Sequence, residues 1–256
     1  MSLQITAIIL AKNEEDNIVK CIKSVAFCDE ILVINDNSTD GTLEAIDKLD
    51  NRKVKIISHS LNGNFSQARN FGLEKAQNEW VLFVDSDEQI SEALAFEVSN
   101  IVSNKLYKME NEYSGFYLRR FDHIWGKKLR YGESGIKLIR LAKKDVGRWI
   151  GKVHERWQVE GKVGILKNPL IHYPHQTVAE FLKEINFYTD VRAEELNAKN
   201  TRAYWWSIII YPVNKFIVNY FFKRGFLDGV AGLVFAIIMS FHSFLVRGKL
   251  YCRCLL

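Results

Sequence analysis

The sequence predicts an α/β protein built on a mainly parallel sheet. Short apolar, β-branched runs alternate four times with helical segments within the first hundred residues. Each run ends in polar or acidic residues, and the fourth, Trp80–Val84, closes on Asp85-Ser86-Asp87. Strands of this length separated by single helices suit right-handed βαβ crossovers. A parallel sheet takes its ligands at the carboxyl ends of its strands, so two carboxylates are delivered to a working edge.

The elements follow in order. Ile5–Leu10 reads as a strand, and Asn13-Glu-Glu-Asp16 opens a helix to about Ala26, its acids suiting the helix dipole. Glu30–Ile34 is the second strand, ending in Asn35-Asp36-Asn37-Ser38-Thr39-Asp40-Gly41, and a helix runs on to Leu49. Val54–Ser58 is the third strand, and Ser66 is the expected cap of the helix carrying Gln67, Ala68, Arg69 and Asn70. After the fourth strand Ser91 caps a helix to about Lys105. Gly115–Phe121 and Gly135–Leu141 read as strands around a polar loop holding His123, Trp125 and Tyr131. Leu170–Tyr173 is strand-like, and Thr177-Val-Ala-Glu180 is a capping box opening a helix with Phe181, Leu182, Ile185, Tyr188 and Val191 on its apolar positions.

Composition is that of a globular protein, 48% hydrophobic and 25% charged over 256 residues. No signal peptide is expected, because Met1-Ser-Leu-Gln runs straight into an apolar strand. The spacing of Cys21, Cys28, Cys252 and Cys254 fits no zinc pattern, and reduced thiols in the cytoplasm are the expectation. No Gly-x-Gly-x-x-Gly or Walker pattern occurs.

Residues 201–256 form an apolar, basic helical tail. They hold seven Lys/Arg against one acid, Asp228, whereas the first 200 residues hold 28 against 29. Tyr204–Phe222 is aromatic and aliphatic with Pro212 inside, and Gly229–Leu245 has no Asp, Glu, Lys or Arg. Both fall short of the ~20 apolar residues of a spanning helix. Gly229, Gly232, Ala236, Ser240 and Ser243 place small side chains on one helical face, inviting another helix. Two readings stand side by side: association with an anionic membrane surface, or a buried helix hairpin, in one chain or in a homo-oligomer. Nucleic acid is disfavoured, since the charges are spaced between apolar runs.

Chemistry-bearing residues fall at successive strand ends: Lys12, Asn13 and Glu14, then Asp36, then Arg69 on the following helix, then Asp85 and Asp87. A carboxylate at Asp36 can accept the imide N–H of uracil, and Arg69 offers a planar fork for phosphate oxygens. Mg²⁺ or Mn²⁺ shares its shell between carboxylates and substrate phosphates, so Asp85 and Asp87 suggest a metal–diphosphate site.

These residues carry a resemblance. The stretches Ala7–Ile18 (AIILAKNEEDNI), Glu30–Thr42 (EILVINDNSTDGT), Ser66–Glu88 (SQARNFGLEKAQNEWVLFVDSDE) and Lys152–Trp157 (KVHERW) resemble the inverting GT-A glycosyltransferases of family 2. Within that family the chain is most similar to small bacterial enzymes that add glucose to the lipopolysaccharide inner core, and Pro169–Tyr173 (PLIHY) extends the likeness to about residue 200. The resemblance implies a GT-A (Rossmann-like) nucleotide-sugar-binding domain over 1–200, with a nucleotide half (1–110) and an acceptor half (111–200), before the tail at 201–256. It implies that Asp36 contacts the base, Glu14 lines the same pocket beside Lys12, Arg69 lies near the nucleotide, Asp85 touches ribose or metal, and Asp87 holds a divalent metal. The acidic pair that serves many members as base is absent, and His154-Glu155 stands in its place, so Glu155 is the expected general base. His172 is either a metal or phosphate contact or a hydrogen-bonded histidine at a strand end. Trp125, Tyr131 and His154 are candidate acceptor contacts.

The activity implied is inverting, metal-dependent transfer of a sugar, UDP-glucose being the donor the resemblance suggests, to a glycan or glycolipid hydroxyl, with the enzyme peripheral on the cytoplasmic face of the plasma membrane. A polyprenyl-phosphate glycosyltransferase and a catalytically silent sugar-nucleotide-binding protein remain as alternatives.

Overall fold

The computed structural model describes residues 4–60, 64–103, 113–151, 155–174 and 177–255. The chain divides into two compact units: residues 1–120 with 137–172, and residues 121–136 with 173–256. The boundary expected at residue 200 falls inside the second unit.

The first unit opens with β1 (Ile5–Ala11), α1 (Ile18–Ser24), β2 (Glu30–Asn35), α2 (Thr42–Asp47), β3 (Val54–Ser58), α3 (Phe65–Lys75) and β4 (Trp80–Asp85). These four strands pair in parallel in the order β3-β2-β1-β4. β5 (Glu88–Ile90) and α4 (Glu92–Val102) follow, then β6 (Tyr113–Ile124), which crosses into the second unit and there pairs antiparallel with β7 (Lys127–Lys128). β8 (Ile136–Lys143) pairs antiparallel with β4. β9 (Gly147–Ile150) and β10 (Arg156–Val159) form a separate antiparallel hairpin. β11 (Lys162–Ile165) lies parallel to β6, and β12 (Leu170–His172) antiparallel to β5. The main sheet is therefore mixed, in the order β3-β2-β1-β4-β8-β6-β12-β5.

Alternation along β1 explains how the sheet buries both faces. Ile5, Ala7, Ile9 and Ala11 join the core shared with Ile18, Cys21 and Ile22 of α1, while Ile8 joins the opposite core with Leu73 of α3. Gly72 lets α3 lie directly on β1: a Cβ there would stand 2.8 Å from Ile8 Cγ2. The cap of α3 is Asn64, whose side chain accepts from the Gln67 N–H, so Ser66 lies in the first turn instead of capping it. Asn is at least as good a cap as Ser, and Asn64 has the non-helical backbone that the position requires. Ser91 and the Thr177–Glu180 capping box perform as their sequences suggest.

The second unit is helical: α5 (Val178–Ala198), α6 (Ser207–Ile217) and α7 (Gly229–Leu255). A π-helical turn, Val218–Phe222, prolongs α6 beyond Pro212, which lacks the N–H of a regular ladder. The small-residue stripe receives helices of its own chain. Gly232 meets the Gly225 carbonyl so closely that a Cβ would lie 2.0 Å away, Ala236 is buried, and Ser240 Oγ donates to the Pro212 carbonyl at 2.8 Å. Gly225–Cys254 is the one stretch among the described residues long and apolar enough to cross a membrane.

Candidate active site

Two loops knit the carboxyl ends of β1 and β2 together. The Asn13 N–H donates to Ser38 Oγ at 3.1 Å, and the Thr39 N–H to Asn13 Oδ1 at 2.8 Å. The Gly41 N–H donates to Glu15 Oε2 at 2.8 Å and the Glu15 N–H to Asp40 Oδ2 at 3.2 Å. Within this frame Asp36 is buried and accepts from Lys12 Nζ at 2.8 Å, with the Lys12 stem mostly exposed. The Glu14 N–H donates to Thr42 Oγ1, and its carboxylate accepts from Asn17 Nδ2 at 3.0 Å. Lys12, Glu14 and Asp36 thus gather at one edge, as their spacing suggests.

The strand β4 delivers Asp85 into a cluster of three cations and three anions. Arg69 Nη2 donates to Asp85 Oδ1 at 2.8 Å, and Arg140 Nη2, from β8, donates to Asp85 Oδ2. Arg140 Nη2 also reaches Glu88 Oε1 at 3.1 Å, Arg120 Nη1 reaches the same oxygen at 3.4 Å, and the Asp85 N–H donates to Glu88 Oε2 at 2.9 Å. Arg69 Nε donates to Glu155 Oε1 at 3.0 Å, joining residues 86 apart in sequence. Glu88 is wholly buried, and Arg69 and Arg140 nearly so. Buried charges need such pairing, since an uncompensated ion in a poorly solvated interior is costly. Burial would raise the Asp85 carboxyl, but Arg140 and Arg69 outweigh it and hold the group well below the usual carboxylate range. Burial would likewise lower Arg140, and Asp85 and Glu88 reverse that. Cys21, whose Sγ–H donates to the Asp85 carbonyl at 3.3 Å, is raised by burial and then by Glu88, Asp87, Asp85 and Glu14, which keeps it a thiol.

The β9–β10 hairpin places Glu155. Asn70 on α3 binds Trp149 as a strand would: its Nδ2 donates to the Trp149 carbonyl and its Oδ1 accepts the Trp149 N–H, both at 2.9 Å. Trp149 and Trp157 stack 5.5 Å apart and meet Phe83 edge-on. The Arg69 guanidinium lies 4.6 Å from the centroid of the Trp149 ring. Cation–π contact and two carboxylates thus fix one side chain, which in turn fixes Glu155. Glu155 is largely buried and uses Oε1 for Arg69.

Asp87 stands apart from that cluster. Its Oδ2 lies 3.0 Å from His172 Nε2 at the end of β12, and both side chains keep part of their surface exposed. His172 therefore has a hydrogen-bonding partner in the expected metal carboxylate, a contact that both readings of His172, ligand and hydrogen-bonded histidine, allow. Asp85 is different: both its oxygens are taken by arginines, although its side chain is about as exposed as that of Asp87, 27% against 29%. Trp125 and Tyr131 belong to the second unit. There Trp125 packs beside Phe181 and Phe235, and the Tyr131 N–H donates to Asp228 at 3.0 Å. His154 lies outside the described residues.

Glu88, Arg140 and Arg120 were not singled out in the sequence. A signal existed, because Arg140 is the single charge within the apolar run Leu138–Ala142, and a cation inside a buried strand calls for a buried acid.

Comparison with known proteins places this geometry. The model of glycosyl transferase family 2 matches residues 6–99, from β1 through most of α4. Over that stretch the chain is similar to the family. The same stretch contains the four parallel strands β3-β2-β1-β4 of the mixed sheet. The chain is 26% identical to the lipopolysaccharide core biosynthesis glycosyltransferase LpsC of Rhizobium meliloti, over 98% of this chain and 93% of that protein. It is 26% identical to an uncharacterized glycosyltransferase of Rickettsia conorii, over 96% of this chain and 89% of the other. A shorter match, 40% identical over 34% of this chain and 21% of the relative, is to the SPbeta prophage-derived glycosyltransferase SunS of Bacillus subtilis. Among solved structures, S. aureus TarS 1-349 in complex with UDP-GlcNAc gives a TM-score of 0.48 at 14% identity, over 100% of this chain and 92% of that one. The present chain spans 46% of a longer TarS chain. Glucosyl-3-phosphoglycerate synthase from Mycobacterium tuberculosis, in complex with Mn²⁺, UDP and phosphoglyceric acid, gives 0.47 at 16% identity, over 75% and 77% of the two chains.

Proposed function

We propose that this protein is an inverting glycosyltransferase that moves a hexose from a nucleotide sugar, UDP-glucose, to a hydroxyl of a lipopolysaccharide-core glycan. The family 2 match and the similarity to LpsC support the donor class and the acceptor class. One observation carries the mechanism: Arg69 joins Glu155 to Asp85, so a carboxylate from the second half of the chain is held at the edge where the donor residues gather.

Asp36 would accept the uracil imide N–H, with Lys12 holding its carboxylate in place and Glu14 lining the same edge. Glu155 would take the proton from the acceptor hydroxyl as it attacks the anomeric carbon opposite the leaving diphosphate. A base that is anchored through Oε1 keeps its other oxygen for that proton, and orientation of this kind is what makes general-base catalysis effective. Asp85 and Arg69 serve as positioning residues. Asp87 and His172 supply one oxygen and one nitrogen donor at a partly exposed edge, a donor set that fits Mg²⁺ or Mn²⁺ completed by substrate phosphates. Such an ion would supply positive charge opposite the leaving diphosphate. A glycan carried on a lipid would be met at the cytoplasmic face of the membrane.

The test is Glu155→Gln, assayed by release of nucleoside diphosphate with the donor and a core-oligosaccharide acceptor. Donor affinity should persist while turnover falls about 10²–10⁴-fold. In the same assay a chelator should abolish transfer and Mn²⁺ restore it. Undiminished turnover would move the base elsewhere and favour a phosphate acceptor, which needs no deprotonation.

A further inference from the structure

The second unit wears its apolar residues outside. Along α6 and the turn that leads into it, Trp205, Ile209, Val213 and Ile217 recur at four-residue steps and are 38–69% exposed. Along α7, Val230, Ile237, Phe241 and Phe244 share one face and are 42–77% exposed. The turn between the helices adds Phe221 and Phe222, the latter 78% exposed. The two helices touch through Ser240 on Pro212 and through Arg247, whose guanidinium lies 4.0 Å from the centroid of the Tyr211 ring. So large a patch marks an interaction surface.

Charge and composition select its partner. The single acid of residues 201–256, Asp228, is 4% exposed and turned inward, accepting the N–H groups of Arg130 and Tyr131. No Asp or Glu side chain of this stretch thus stands on its surface, while Arg202 and Arg224 are exposed beside the aromatic residues with no ion pair among the described residues. Tyr204, Trp205, Trp206 and Tyr211, all exposed, are the residue types that favour the bilayer interface.

The structure also decides how α7 can meet lipid. Its length and apolarity would allow a span, but α5 lies against it from near one end to the other. Phe181 packs on Phe235, Lys249 pairs with Asp190 at 2.9 Å, and Arg253 pairs with Glu194 at 2.9 Å. α5 also carries Lys183, Glu184, Arg192 and Glu195. Threading α7 through a bilayer would draw these charges into hydrocarbon or strip α7 of its partner, and either is costly.

We infer that α6, the turn and the outer face of α7 form a monotopic docking surface that lies in the plane of a lipid bilayer, held mainly by apolar burial. This rests on the membrane placement given under the proposed function but not on the reaction, since vesicle binding needs neither donor nor base. Because Lys215 and Lys223 pair with Glu133, Lys249 with Asp190 and Arg253 with Glu194, little of the tail's positive charge is left for lipid headgroups.

The test uses the full chain with vesicles of phosphatidylcholine alone and of phosphatidylcholine mixed with phosphatidylglycerol. The protein should sediment with both, the anionic mixture better, and high salt should weaken binding only modestly. Trp205→Ser and Phe222→Ser are exposed and should leave the circular dichroism spectrum unchanged while each lowers partitioning about tenfold. A membrane-impermeant maleimide should label Cys252 and Cys254 and an introduced Lys223→Cys equally on intact vesicles. Full protection of one end until detergent is added, with the other end labelled, would mean that α7 spans, and would overturn the in-plane arrangement. A chain that ignores vesicles and elutes as a dimer dissolved by the two serine substitutions would overturn lipid as the partner. Loss of transfer in Glu155→Gln with vesicle binding intact keeps failure of the reaction distinct from failure of the surface.

Discussion

The two units handle charge and apolar surface in opposite ways. The first has equal numbers of acids and bases, and encloses its strongest ion pairs: Glu88 is wholly buried and Arg140 nearly so. The second holds thirteen Lys/Arg against eight Asp/Glu, keeps its ion pairs near the surface and turns large apolar side chains outward. Burying a charge network costs desolvation and returns fixed geometry, which suits the base and nucleotide pocket proposed for this unit. Exposing an apolar face costs solubility and returns adhesion. What looks in composition like one basic protein is an evenly charged unit that holds the candidate site and a basic unit with an exposed apolar face.

The sharpest way to break the comparison is to break a buried pair. Arg140→Met removes the cation shared by Asp85 and Glu88 and leaves Glu88 in the interior with Arg120, at 3.4 Å, as its remaining cation and the Asp85 N–H as a neutral donor. Loss of one partner from a buried pair costs about 3–5 kcal/mol. Urea denaturation of the full chain should show a loss of that order, and adding Glu88→Gln should return part of it. An effect under about 1 kcal/mol would mean that the cluster behaves like a surface network.

Acid should act through the same cluster. Asp85 is held below the ordinary carboxylate range by Arg140 and Arg69, so its contribution is complete at pH values above the unfolded value of about 3.9 and is lost as pH falls toward the lower folded value. Stability measured from pH 5 downward should fall less steeply for Asp85→Asn than for the wild type. Parallel slopes would remove Asp85 from the account.

How much of this was legible in the sequence depends on whether the information was local. The four parallel strands were readable because a run such as Trp80–Val84 has one composition and one period. The gathering of Lys12, Glu14 and Asp36 followed, since strand ends of a parallel sheet meet at one edge. Asn64 as cap was missed because two good caps stand two residues apart and only backbone geometry chooses between them. The Arg69–Glu155 and Asp85–Arg140 pairs were beyond reach: partners 86 and 55 residues apart are brought together by sheet order, which no local pattern encodes. The small-residue stripe of α7 was legible as a helix-packing face, with a helix hairpin among the expectations, but not that Gly225 and Pro212 would be its contacts. The tail's charge was overvalued because Glu133, Asp190 and Glu194, lying outside it, absorb much of it.

A smaller effect is expected where a neutral side chain does the positioning. Asn70→Ala removes both bonds to the Trp149 backbone and leaves a buried residue's N–H and carbonyl to find other partners. The cost expected is about 1–3 kcal/mol. Because Trp149 underlies Arg69, turnover should fall more than donor affinity, which a purely structural role would not produce.

The smallest effect belongs to the second unit and completes the contrast. Arg253 Nη2 meets Glu194 Oε1 at 2.9 Å with both side chains exposed, 35% and 61%. Water competes for both groups, and ordering two long side chains offsets much of the attraction. Arg253→Gln should therefore change stability by about 0–1 kcal/mol, and by less as salt is raised and the Debye length shrinks. Arg140→Met should keep its large cost at the same salt, since ions do not enter a closed cluster. A salt series on these two variants separates the two uses of charge directly. If Arg253→Gln proved as damaging and as salt-independent as Arg140→Met, the contact between α5 and α7 would have to be counted as part of the core, and the division of labour between the units would fall.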